Sequence, residues 1–137
     1  MADSNRIQFI TIATTGNSQD FGDLLSNYND HTACSNSTRG IIGYKSTSTS
    51  INTLEFVTIA SAGNAADFGD YVTHQNRNTG VADSTRAVFA GGRVSGAKSN
   101  VMEYVTISTL GDTTDFGDLT VARDQHYGSS AAHGGIA

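Results

Sequence analysis

The chain has no tryptophan, one cysteine and little charge of either sign. Each shortage excludes something. Lys and Arg total 8 against 13 Asp and Glu, for a net charge of −5. Phosphate backbones are held by clustered cations, so a nucleic-acid partner is excluded. No apolar run approaches the roughly 18 residues of a membrane-spanning helix, and no membrane insertion is expected. The opening segment Met1–Phe9 lacks the apolar stretch of a secretory leader, so no signal peptide is read there. Without one, the sequon Asn36-Ser37-Thr38 carries no weight. Cys34 is alone, which rules out an intrachain disulfide and leaves it the role of a small apolar filler. The missing tryptophan removes the best platform for stacking a sugar ring, leaving Tyr28, Tyr71 and Tyr127 as aromatic candidates.

What is present is repetition. Asp-Phe-Gly-Asp occurs three times, at Asp20–Asp23, Asp67–Asp70 and Asp115–Asp118. The segments Ile7–Asp23, Leu54–Asp70 and Met102–Asp118 align around it, first 47 and then 48 residues apart. Ser37–Tyr44 matches Ser84–Gly92 at the same offset of 47. A fixed period of this size marks one supersecondary unit used three times, each too small to bury its own core. The chain therefore reads as a single domain of three repeats: residues 7–53, 54–101 and 102–137, the last completed by an N-terminal strand. A motif written three times is scaffold before it is chemistry.

Each repeat reads as short strands joined by polar turns. In Leu54–Ala60 apolar residues fall on both faces of an alternating run, which predicts a strand covered on both sides. Gly16-Asn17, Gly63-Asn64 and Gly111-Asp112 then mark a turn suited to positive φ or to side-chain–backbone bonds. The phenylalanine of each following motif (Phe21, Phe68, Phe116) is the expected core plug. A polar, variable stretch leads to Ser-Thr-Arg and a short apolar strand, Arg86–Ala90, closed by Gly91-Gly92.

This order of Ser-Thr-Arg, apolar run, double glycine, Glu plus aromatic (Glu55-Phe56, Glu103-Tyr104), turn and aromatic anchor resembles the kelch repeat, one blade of a β-propeller. Phe stands where kelch blades usually have Trp, and the first unit has Gly43-Tyr44 in place of Gly-Gly. Asp115–His126 and Ser84–Gly92 are also similar to repeats in virion proteins of tailed phages, cyanophages in particular. The resemblance implies an all-β fold with three kelch-like blades per chain. Propellers close with about 4–8 blades, so the expected assembly is a head-to-tail homodimer forming a six-bladed ring. The chain opens on one strand and stops inside another, so the two ends are expected to complement each other between copies. A three-repeat β-trefoil or β-prism, closing within one chain, is the alternative, although trefoils usually carry a Gln-x-Trp signature.

Chemical motifs are few. Asp-Phe-Gly matches the magnesium turn of protein kinases in letters only, because no nucleotide loop or catalytic loop accompanies it. His31, His74, His126 and His133 form no HxxxH or HExxH pair, although the first three fall in equivalent loops. No cofactor or metal is expected, and no nucleophile–base set can be assembled, so the chain is expected not to be an enzyme. Arg39 and Arg86 are candidates to bridge adjacent blades. The divergent stretches Leu24–Asn36, Tyr71–Asp83 and Leu119–Ala131 are where binding is expected, with Tyr28, His31, Arg77, Arg123, His126 and Tyr127 as anchors by residue type. The resulting expectation is a non-enzymatic phage virion protein, either capsid decoration or tail-associated, made in the host cytoplasm. Its partners would be itself and other virion proteins or a host surface glycan. A carbohydrate-binding lectin is the alternative.

Overall fold

The computed structural model describes residues 5–27, 30–44, 52–73 and 75–130. Its fold is all-β, with no helix among the described residues. The strands are β1 (Arg6–Phe9), β2 (Gln19–Asp23), β3 (Thr32–Ser35), β4 (Arg39–Gly43), β5 (Thr53–Thr58), β6 (Ala66–Asp70), β7 (Thr79–Ala82), β8 (Arg86–Ala90), β9 (Arg93–Val94), β10 (Ala97–Lys98), β11 (Val101–Thr106) and β12 (Thr114–Asp118). Two antiparallel sheets have four strands each, in the orders β3-β4-β5-β6 and β7-β8-β11-β12. Strands β1 and β2 form a two-stranded sheet, and β9 and β10 a small hairpin set between β8 and β11. None of these sheets closes on itself. Each four-stranded sheet takes two strands from one sequence repeat and two from the next.

Local chemistry sets this pattern. The Oδ1 of Asn36 accepts the N–H groups of Thr38 and Arg39, each at 2.9 Å, which closes the β3–β4 turn. The Oδ1 of Asp83 does the same for Thr85 and Arg86 at 2.7 and 2.6 Å and closes β7–β8. The recurrent Ser-Thr-Arg is thus the body of an Asx-type turn. Strand β8 ends where Gly91 and Gly92 adopt φ of 64° and 95°, a region where a side chain would strain the backbone.

The repeated motif has a geometric cause as well. Register shifts fall between Ile7 and Gln8, Leu54 and Glu55, and Met102 and Glu103. Opposite each shift the Phe of Asp-Phe-Gly-Asp is the extra, unpaired residue, so the motif is one β-bulge built three times. Each bulged ring meets the aromatic of the neighbouring strand edge-on: Phe9 with Phe21, Phe56 with Phe68 and Tyr104 with Phe116, at centroid distances of 6.2, 6.0 and 5.9 Å. The glycines that follow, Gly22, Gly69 and Gly117, take φ of 155°, 149° and 131°. Gly16 and Gly63 of the preceding turn do not adopt positive φ whereas Gly111 does, at 152°, so the conformational need is common to all three bulges and met at one of the three turns.

The core lies between the two four-stranded sheets and is made of Ile41, Leu54, Phe68, Tyr71, Phe89, Val105 and Ile107, with smaller side chains among them. Cys34 packs against it as a filler. Strands β3 and β7 are neighbours across the sheets, close enough that a Cβ on Gly80 would sit 3.1 Å from the Ala33 carbonyl. The three motif phenylalanines are not equivalent. Phe68 is 2% exposed, Phe21 is half-buried and Phe116 is 46% exposed. The expectation of three core plugs is corrected accordingly: Phe68 has both a four-stranded sheet and the next repeat docked on it, Phe21 has the docked repeat but only a two-stranded sheet, and Phe116 has the four-stranded sheet but no docked repeat among the described residues.

Candidate binding surfaces

Two features of the fold hold chemistry that could bind something: the joint between consecutive repeats, and the loops carried by the sheets. The joint is built from backbone groups. Gly63 N–H donates to the Phe21 carbonyl at 2.7 Å, and Ala65 N–H to the Asp23 carbonyl at 2.8 Å. The Asp23 N–H in return donates to Asn64 Oδ1 at 3.0 Å. One repeat later, Gly111 donates to Phe68 and Thr113 to Asp70, both at 2.9 Å, while Asp70 donates to Asp112 Oδ1 at 3.0 Å. A Cβ on Gly22 would overlap the Gly63 carbonyl, and one on Gly69 the Gly111 carbonyl. The bulge glycine is therefore required for the approach of the next repeat, beyond its own φ.

A buried carboxylate completes each joint. Glu55, fully buried, accepts the Leu25 N–H at 3.0 Å and the Tyr44 hydroxyl at 2.7 Å. Glu103, 2% exposed, accepts the Thr73 N–H at 2.7 Å and the Thr113 hydroxyl at 3.1 Å, and Thr113 Oγ1 accepts the Val72 N–H at 2.8 Å. Each carboxylate, itself buried, satisfies one partly buried backbone donor and one buried hydroxyl. Arg39 adds a further tie: its guanidinium lies 4.7 Å from the Phe56 ring centre and donates to the Ile107 carbonyl in the next sheet at 2.9 Å. Arg86 lies over Tyr104 in the same way, at 4.9 Å, with no onward carbonyl among the described residues.

The divergent loops share a backbone position. Asp30, Arg77 and Gln125 are equivalent across the three repeats, and each has left-handed φ, at 60°, 58° and 51°. None is glycine, so each residue is held there against its intrinsic preference. The position links neighbouring loops. Arg77 Nε pairs with Asp30 Oδ2 at 3.3 Å, and the Gln125 N–H donates to the Arg77 carbonyl at 3.1 Å. Of the anchors expected from sequence, His31, Arg77, Arg123, His126 and Tyr127 are thereby carried on a connected row of loops. Tyr28, with His74 and His133, lies outside the described residues.

The histidines differ in setting. His31 is exposed at its loop and tilts against the Tyr44 ring at 5.5 Å; partial burial lowers its imidazole below the ordinary value, against the pull of Glu55 and Asp30. His126 lies against Gly91, with neither ring nitrogen partnered among the described residues. Burial and then Arg123 hold it low as well, with Asp124 opposing. Arg123 is exposed, and Tyr127 is 96% exposed. Asp124 pins the inserted hairpin to this loop by accepting from Arg93 and pairing with Lys98, and Arg93 first of all holds its carboxyl below the usual range.

Two shallow clefts recur at the repeat spacing. One, of about 260 Å³, has Phe56, Thr58, Gly63 and Asn64 in its wall; the other, of about 250 Å³, has Tyr104, Thr106, Gly111 and Asp112. No group of three or more His, Cys, Asp or Glu able to hold a metal occurs among the described residues, and no helix among them is long and apolar enough to cross a membrane. No protein-family model matches the chain, and no curated protein matches it.

Sequence reasoning missed the two buried glutamates and the shared left-handed position. A Glu recurring inside otherwise apolar strands was the signal for the first. The second has no signal in residue type, since Asp, Arg and Gln occupy it.

Proposed function

We propose that the chain is a non-enzymatic structural and binding module, made of kelch-like blades that close a six-bladed β-propeller with a second copy. It works on a phage virion, as capsid decoration or in the tail, and is made in the host cytoplasm. The observation that carries this reading is the loop row. Three loops differ in sequence yet hold one strained backbone position in common, which is how a fixed scaffold presents changeable contacts. Partners on this reading are a second copy and either another virion protein or a host surface glycan. No cofactor takes part.

The test is a loop exchange. Replacing Leu24–Asn36 and Leu119–Ala131 by the sequence of Tyr71–Asp83 should leave the far-ultraviolet spectrum and cooperative unfolding intact while abolishing attachment to virions or host cells. Unimpaired attachment after both exchanges would refute the role of the loops. A second reading, a carbohydrate-binding lectin, is favoured by the paired clefts with an aromatic wall. Binding on a glycan array that survives the loop exchange but is lost in Tyr104→Ala would select it.

A further inference from the structure

The inter-repeat joint is made twice within the chain and left half-made at each end. At the last repeat, the Phe116 carbonyl and both backbone groups of Asp118 correspond to the acceptors and donor used at Phe21 and Asp23, and again at Phe68 and Asp70. Among the described residues they meet no partner. The space over Gly117 is open, with Met102 Cε at 3.9 Å as the nearest atom to a Cβ placed there. The Thr120 and Val121 N–H groups correspond to those of Val72 and Thr73, which Thr113 and Glu103 capture, and they too have no acceptor among the described residues.

The first repeat presents the other half. Gly16, Asn17 and Ser18 stand where Gly63, Asn64 and Ala65 dock in one joint and Gly111, Asp112 and Thr113 in the next. Gln8 stands where Glu55 and Glu103 stand, and the Ser18 hydroxyl already donates to Gln8 Oε1 at 3.2 Å, as Thr113 does to Glu103 at 3.1 Å. All four residues are exposed. Apolar surface accompanies both halves: Phe9, Ile10 and Ile12 on one side, Phe116 and Val121 on the other. Ile12 corresponds to Ile107, whose carbonyl receives Arg39, and Arg86 is the matching arginine without its carbonyl. Two complete joints separate the halves within one chain.

We infer that the Gly16–Ser18 turn and Gln8 of one copy dock on strand β12 and Leu119–Val121 of a second copy, rebuilding the inter-repeat joint between chains. This inference rests on the assembly proposed above and specifies its register. Gly16 donates to Phe116, Ser18 to Asp118, and Asp118 to the Asn17 side chain. Ser18 Oγ and Gln8 Oε1 receive the Thr120 and Val121 N–H groups. Arg86 reaches the Ile12 carbonyl. The contact is heterologous, so the copies join head to tail.

The test is disulfide trapping in a Cys34→Ala background. Asp23→Cys with Asn64→Cys in one chain calibrates the geometry, because that joint exists in cis and should close within the chain. Asn17→Cys and Asp118→Cys on separate chains should then cross-link to twice the chain mass when mixed, and neither should do so alone. Dimeric mass by light scattering with no cross-link in the mixture, while the calibrating pair closes, would overturn the register and leave the assembly standing. Monomeric mass at every concentration would overturn both. Closure of an Asn17→Cys/Asp118→Cys double variant within a single chain would overturn the second copy as occupant. As a readout without new thiols, Gln8→Ala and Asn17→Ala should each weaken association about fivefold to tenfold, the worth of one net hydrogen bond. Unchanged association in both would refute the docking.

Discussion

One ring in three settings offers an internally controlled measurement. Phe68 and Phe116 occupy the same bulge, follow the same aspartate and meet the same kind of edge-on aromatic, but one is 2% and the other 46% exposed. Truncating a buried phenylalanine to alanine loses its transfer free energy and leaves a cavity, about 3–5 kcal/mol together. For a domain of this size that lowers Tm by about 10–20 °C. Phe116 has roughly half of its surface still in water, so Phe116→Ala in dilute protein should cost about 1–2 kcal/mol. Guanidinium unfolding followed by circular dichroism at two protein concentrations measures both. Phe68→Ala should be costly at either concentration, whereas the cost of Phe116→Ala should grow as protein is added, because in the proposed assembly a second copy covers the ring. Equal costs in dilute protein would show that exposure in the single chain does not govern these sites. A cost for Phe116→Ala independent of concentration would remove the covering copy.

Three further outcomes can be measured. Glu55→Ala removes the acceptor of the partly buried Leu25 N–H and of the buried Tyr44 hydroxyl, so it should destabilise by about 1–3 kcal/mol, whereas Gln8→Ala, at the exposed counterpart position, should be near neutral in dilute protein; similar values would refute the capping role. Burial pushes the Cys34 thiol up to about 12, so alkylation by iodoacetamide at pH 8 should be far slower than for a free thiol and should recover in denaturant; prompt reaction of the folded protein would contradict its packing. The Asp83 carboxyl is held below its usual range by N–H bonds from Arg86 and Thr85. A depressed folded value means its contribution is complete above the unfolded value of about 3.9 and is lost as pH falls through the lower folded one. Asp83→Asn keeps the turn, as Asn36 already does, and should shrink the acid-side loss of stability; an unchanged acid profile would refute the assignment.

The sequence was most legible where one residue type does one job. The period, the strands and the double glycine after Ala90 all follow from local preference, and the all-β class follows with them. Less legible was everything that depends on a neighbouring repeat. Phe21, Phe68 and Phe116 are identical in letters and differ in burial because the cover comes from a different stretch of chain. Glu55 sits in a strand expected to be covered on both faces, and its role as an acceptor shows only once the Leu25 amide is placed beside it. Among the binding candidates, the pairing of Arg77 with Asp30 joins residues 47 positions apart, and no local pattern announces it.

The sharing of every four-stranded sheet between two repeats has a consequence for how such a chain can change length. Suppose recombination inserts or removes one period at any point in the gene. The break then falls at equivalent places in two repeats, and each severed sheet is rejoined to strands of matching register. The joints on either side keep the same glycine, the same turn and the same arginine. The polypeptide lengthens or shortens by one whole sheet, with no half-sheet stranded in its interior. An insertion of any other size between the carboxylate and the bulge would shift the bulge out of line with its docking turn, whereas the one-residue difference between the periods of 47 and 48 lies outside that segment and leaves both joints intact. The architecture thus grows by complete units while confining smaller length changes to the connections outside the joint.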